Sequence, residues 1–122
     1  MRVVPVRFTA DPAAMRRFLE ALGLATALQA DGGGWIALEG SGGGVGLHAD
    51  AAADEPRSPG TTALSFESDE PLEAVQSRLA AAGFDADIID ESFGRSLRVV
   101  DPDGVAVQVN EAMRDDYGYT RG

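Results

Sequence analysis

Apolar residues alternate at the start of the chain. Val4, Val6 and Phe8 fall on one side and Val3, Pro5 and Arg7 on the other, the period-two pattern of a half-buried strand. The period then lengthens. Met15, Phe18, Leu19 and Leu22 recur at helical spacing, behind Asp11 as an expected N-cap and Pro12 in the first turn, and Gly23 closes the segment. Between Leu24 and Asp50 the pattern returns to strands, three short ones punctuated by Gly32–Gly34 and by Ser41–Gly44. Together these predict a β-α-β-β-β unit.

The order repeats after the small, polar, proline-bearing stretch Ala51–Gly60. Leu64 and Phe66 mark a strand. Asp69 or Ser68 is expected to cap a helix with Pro71 in its first turn, and Leu72, Val75, Leu79 and Ala82 form its apolar stripe before Gly83. Strands follow near Phe84–Asp90, Arg95–Asp101 and Val105–Glu111. In the last pair, Pro102, Asp103 and Gly104 suit a three-residue hairpin loop, a type I turn followed by a left-handed glycine. That loop sets Val99 against Val107 and Leu97 against Val109 on an apolar face, and Arg98 against Gln108 on a polar one.

Phe8 matches Phe66, Gly23 matches Gly83 and Gly44 matches Gly104, so the chain reads as an internal repeat. One domain, residues 1–122, then consists of module 1 (1–50), a linker (51–60), module 2 (61–111) and a C-terminal tail (112–122). His48 and Gln108 fall at equivalent places in the two modules. The expected fold is α+β: two tandem βαβββ modules forming a curved, mostly antiparallel sheet with a concave ligand cleft and the helices outside.

Composition narrows the function classes. A chain of 122 residues buries roughly two-thirds of its unfolded surface and needs no covalent staple. There is no cysteine, hence no disulfide, thiolate metal site or thiol nucleophile. Net charge is −10, with seven acids against five Arg in residues 1–60 and thirteen against five in residues 61–122. Nucleic acid is an unsuitable partner for such a surface, because phosphate binding needs a basic patch. No apolar run reaches the length of a membrane span, and a soluble, cytoplasmic protein is expected.

The paired modules, FLEALGL at Phe18–Leu24, RLAAAGF at Arg78–Phe84 and DPDGVAVQV at Asp101–Val109 resemble the vicinal oxygen chelate superfamily, which includes glyoxalases, extradiol dioxygenases and bleomycin-resistance proteins. The resemblance covers nearly the whole chain and speaks to fold more than to chemistry. In metal-using members of that superfamily, ligands come from the first and last strands of each module. Carried over, the first-strand positions fall at Val3 or Val4 and at Thr61 or Thr62, and the last-strand positions at His48 and Gln108. A catalytic zinc takes three protein ligands and an open position, and oxygen-preferring cations take carboxylates. One imidazole and one neutral amide fall short of either, so the resemblance implies a member without a metal or other cofactor. The alternative keeps His48 and Gln108 as metal ligands.

The candidate ligand-binding residues are His48, Gln108, Arg98, Arg7 and Ser65, which the expected register turns inward among small or apolar neighbours. The competing reading is a solvated sheet face on which Arg98 and Gln108 simply pair. His48 is the sole histidine, and as a general base it would need a partner to set its tautomer. Arg7 and Arg98 point to a carboxylate or phosphate on the ligand. Trp35 is a candidate stacking platform if it faces the cleft. Simple alternation puts it there, with Ile36 and Leu38 in the core, whereas matching module 1 to module 2 reverses the assignment and favours a core tryptophan. Tyr117, in the tail, is a candidate for the cleft rim or a partner subunit.

Three functions fit these residues. The first is a metal-free small-molecule binding protein, similar to bleomycin-resistance proteins, that sequesters its ligand or confers resistance. The second is a metal-dependent glyoxalase-type lyase, isomerase or dioxygenase. The third is a metal-free enzyme using His48 as acid or base. The resemblance also implies a homodimer, which would cover the edges of a small sheet.

Overall fold

The computed structural model describes residues 1–50, 57–91, 94–111 and 119–121. It shows the α+β architecture, with two helices and two mixed, mostly antiparallel sheets. The chain divides into two compact units. One runs from Val4 to Ala63 and includes the strand Tyr119–Arg121; the other joins Met1–Val3 to the stretch that begins at Leu64.

In the first of these units the sheet order is β11-β3-β4-β5-β2-β6, with β2 at Val6–Thr9, β3 at Ala25–Ala30, β4 at Trp35–Gly40, β5 at Gly43–Ala49, β6 at Thr62–Ala63 and β11 at Tyr119–Arg121. β2 and β5 run parallel and the other pairs antiparallel. In the second unit the order is β1-β7-β10-β9-β8, from β1 (Arg2–Val3), β7 (Ser65–Glu67), β8 (Ala86–Glu91), β9 (Gly94–Val100) and β10 (Ala106–Asn110), with β7 and β10 parallel. The opening apolar stretch is thus two strands rather than one. Pro5 has no N–H to give a ladder, and residues on either side of it pair in different sheets. Its carbonyl instead accepts from Gly46 N at 2.9 Å.

Helix α1 (Pro12–Leu22) starts and stops as its residues predict. Asp11 Oδ1 accepts from Ala14 N at 3.0 Å, Pro12 takes the first helical position, and Gly23 ends the helix at φ 114° with its N–H on Glu20 O. Leu19 is buried with Ile36, Leu38 and Leu47, and Met15, Leu24 and Val45 pack around them. The expected four-residue stripe is only half buried, since Phe18 and Leu22 remain 57% and 64% exposed. The sheet takes one i, i+4 line of side chains, Met15 and Leu19, and leaves the neighbouring line outside.

Helix α2 (Leu72–Ala81) lays Leu72 and Val75 on Leu97 and Val109, with Phe66, Leu79, Ile88 and Val99 around them. Its start corrects the expectation. The N-cap is Pro71, with no side-chain capping bond, while Ser68 Oγ accepts from Glu70 N and donates to Glu70 O in a turn of its own. A residue before proline is disfavoured in the helical region, so Glu70 stays out of the helix and the first turn moves past Pro71. Ala82 is the C-cap and is exposed, outside the apolar stripe.

The β9–β10 hairpin has the predicted register, Val107 on Val99, Gln108 on Arg98 and Val109 on Leu97. Gly104 has φ 82° and donates to Asp101 O, while Asp101 Oδ1 accepts from both Asp103 N and Val105 N at 2.9 Å. One aspartate therefore satisfies the loop that sets the register. Among the described residues no helix is long and apolar enough to cross a membrane.

Candidate functional site

Each sheet carries its helix on one face, and the opposite face carries a row of three side chains drawn from the same three positions of the strand order. Between Val4 and Ala63 the row is Phe8, His48 and Trp35, since Phe8 pairs with His48 across β2–β5 and Trp35 pairs with His48 across β4–β5. In the other unit it is Ser65, Gln108 and Arg98. His48 and Gln108 are thus equivalent, as the repeat predicts. Phe8 and Phe66 are not. Phe8 stands beside His48, but Ser65 stands beside Gln108, and Phe66 turns to the helix side with Val109. The first strands are offset by one residue between the units, and a one-residue offset reverses every side chain.

The first row is aromatic. Phe8 is buried, 8% exposed, and its ring stacks on His48 at 5.5 Å and 26°; Trp35 meets His48 edge-on at 5.9 Å and 72°. Trp35 follows simple alternation and is not the core tryptophan that matching the two modules favours. Ile36 and Leu38 are fully buried in the core, and the indole lies half-buried on the other face. Its ring reaches over Gly46, where a Cβ would come within 2.2 Å of it, so the glycine leaves the indole the room it occupies. His48 Nδ1 lies 2.9 Å from Ala49 O. A carbonyl only accepts, so Nδ1 carries a proton, and of the two neutral tautomers this contact selects the one whose Nε2 is bare. Arg57, whose place in the linker gave no sign of this in the sequence, sets its guanidinium carbon 5.2 Å over the Phe8 ring. Phe8's backbone is tied to the end of that linker and the residue after it, its carbonyl accepting from Gly60 N and its N–H donating to Thr61 O.

The second row is polar, and two of its members are bonded to neighbours outside it. Arg98 Nη2 and Ser96 Oγ both donate to Glu91 Oε1 at 3.1 Å, and Gln108 Nε2 donates to Asn110 Oδ1 at 2.8 Å. Ser96 is fully buried and Ser65 is 7% exposed. Glu91 and Ser96 enter this network unforeseen, because nothing local in the sequence marks a carboxylate at the end of β8 as the counter-ion of Arg98.

Arg7 does not join His48. It pairs with Leu47, so its side chain lies on the other face of the sheet, where Nε donates to Thr62 Oγ1 at 2.9 Å. The period-two rule that buries Phe8 beside His48 turns Arg7 away from it. Tyr117 lies outside the described residues.

The donors do not fit a metal ion. His48 offers one nitrogen between two aromatic rings, and Gln108 offers a neutral carbonyl oxygen beside an amide already bonded to Asn110. At the first-strand positions, Val3 and Val4 are hydrocarbon and Thr62 is bonded to Arg7. Among the described residues no three His, Asp or Glu side chains gather at a common point.

A family model, the Glyoxalase/Bleomycin resistance protein/Dioxygenase superfamily, matches residues 3–109. Comparison with curated proteins gives no match. Among solved structures, similarity extends to an NAD-dependent benzaldehyde dehydrogenase from Legionella pneumophila (TM-score 0.67, 14% identity, covering 90% of this chain and 98% of that one). It extends also to a glyoxalase/bleomycin resistance protein/dioxygenase superfamily member from Vibrio splendidus 12B01 (0.62, 20%, 90% and 97%) and to an uncharacterized protein from Methanosarcina mazei (0.62, 19%, 94% and 94%). At such identities the likeness is one of fold.

Proposed function

The chain belongs to the Glyoxalase/Bleomycin resistance protein/Dioxygenase superfamily, and from that premise we propose that it is a metal-free small-molecule binding protein. Its ligand is a flat aromatic compound, which the protein sequesters in the manner of the bleomycin-resistance members. The observation that carries the reading is the Phe8–His48–Trp35 row, an indole reaching over Gly46 and braced edge-on by His48 on the face away from the helix. The accessible face of a half-buried indole is a stacking surface with little conformational freedom to lose on binding. A metal has no part in this reading, because the row supplies one nitrogen ligand and no carboxylate. The reading includes a cytoplasmic homodimer. Phe18 and Leu22, exposed one turn apart on α1, are the apolar surface that a second copy would cover.

Trp35 is the sole tryptophan, so its emission reports on this face directly. Titration with flat aromatic drugs in the presence of a chelator is expected to give a saturable emission change that His48→Ala weakens. A saturable change that appears only after zinc, manganese or iron(II) is added would overturn the metal-free reading, and no change with any compound would overturn binding at this face.

A second reading, a metal-free enzyme with His48 as acid or base, is favoured by one observation: the Ala49 carbonyl sets the tautomer and leaves Nε2 as the proton acceptor. Turnover of a bound ligand, abolished in His48→Ala, would establish it; an unchanged ligand recovered from the wild-type protein would exclude it for that ligand.

A further inference from the structure

The arginines expected to meet an anionic ligand are committed elsewhere. Arg98 is paired with Glu91, and Arg7 donates to Thr62 on the helix side of its sheet. Most other arginines with described side chains are also engaged: Arg2 with Glu67, Arg16 with Glu20 and Gln29, Arg78 with Glu70, and Arg95 with Glu73 and Glu111. Two differ. Arg17 is exposed on α1, and Arg57 lies over Phe8 with no hydrogen bond or ion pair to any described residue.

Arg57 is therefore a cation held by a ring rather than by a carboxylate, in a chain whose acids outnumber its basic residues two to one. No hydrogen bond to a described residue takes up its N–H groups. Those groups are the fork that fits a carboxylate. The same Phe8 ring stacks on His48, which meets Trp35, so guanidinium, phenyl ring, imidazole and indole follow one another with successive separations of 5.2, 5.5 and 5.9 Å. A guanidinium that no described carboxylate neutralises, held beside an aromatic platform in so acidic a protein, has a ready chemical use, the recognition of a flat molecule that carries a negative charge.

We infer that Arg57 is the specificity-determining residue of this face and that the ligand class is aromatic carboxylates, with the carboxylate forked by Arg57 and the ring laid along His48 and Trp35. The inference rests on the aromatic-binding reading given above and adds the charge of the ligand to it.

Isothermal titration of the full chain with 2-naphthoate, 2-naphthamide and 2-naphthylmethylammonium, in the wild type and in Arg57→Gln and Arg57→Lys, tests it. The carboxylate is expected to bind more tightly than the amide or the ammonium. Arg57→Gln should weaken it roughly ten- to a hundredfold, the loss of charge-assisted hydrogen bonds, and leave the amide within about twofold. Arg57→Lys should restore part of the affinity, because the charge returns without the fork. Equal affinity for carboxylate and amide, or a carboxylate affinity indifferent to Arg57→Gln, would overturn the inference and leave the aromatic-binding reading standing. Preference for the ammonium would overturn it in the same way. Failure of all three probes to bind would overturn both.

Discussion

Gly46→Ala probes the room that Trp35 occupies, and with it the geometry on which the candidate site depends. A Cβ at Gly46 would stand 2.2 Å from Trp35 Cη2 and 2.9 Å from Cζ2 and Cζ3. Carbon atoms pack at ~3.5–4.0 Å, so the indole must withdraw by more than about 1 Å. Two terms then compete. If neighbouring groups hold the ring, overpacking costs about 1–3 kcal/mol. Against this, replacing glycine at a backbone position that alanine tolerates stabilises by ~0.4–1 kcal/mol through the unfolded chain, and Gly46 is not among the glycines with positive φ. The expected net effect is a loss of about 0.5–2 kcal/mol, with altered tryptophan emission. Urea unfolding followed by circular dichroism measures the first, and the native emission spectrum the second. Gly42→Ala is the control, since a Cβ there meets nothing within 4 Å and its φ is not positive. In a Trp35→Ala background the cost of Gly46→Ala should disappear, because the clash has been removed. A cost that persists without the indole would refute the packing argument, as would an unchanged emission spectrum in the single variant.

Two further outcomes follow from the same reasoning. A hydrogen bond from Arg95 holds Glu73 down to about 2, so the Glu73–Arg95 bridge between α2 and β9 adds stability that is fully present above the ordinary glutamate value of 4.5 and is lost as pH falls towards 2. Glu73→Gln should therefore flatten the acid limb of a plot of unfolding midpoint against pH between about 4.5 and 2; an identical acid limb in wild type and variant would remove the bridge from the stability balance. In sedimentation, the wild type should run as a dimer and Phe18→Ser/Leu22→Ser as a folded monomer, because those side chains are exposed in the single chain. Equal sedimentation of the two would place the dimer contact elsewhere or remove it.

What residues dictate over short distances was legible in the sequence alone. Asp11, Pro12 and Gly23 bound α1 because capping and the left-handed C-terminus are settled within one turn of chain. Pro102, Asp103 and Gly104 set the β9–β10 register, and with it the Arg98–Gln108 pair, because a tight loop leaves its strands one alignment. Alternation put Ile36 and Leu38 in the core and the repeat made His48 and Gln108 equivalent, whereas the facing of Trp35 stayed open, with the match between modules favouring the core.

Tertiary structure decided the rest. It divided the opening strand at Pro5, set Phe8 rather than Arg7 beside His48, and gave Ser65 rather than Phe66 the equivalent place beside Gln108. It also brought Arg57 over Phe8 and Glu91 against Arg98. Each of these depends on a pairing between distant segments, where a shift of one residue exchanges the two faces of a strand and local composition stays the same. A residue pattern records which faces are apolar; only the closed ladder of hydrogen bonds settles which side chains share one.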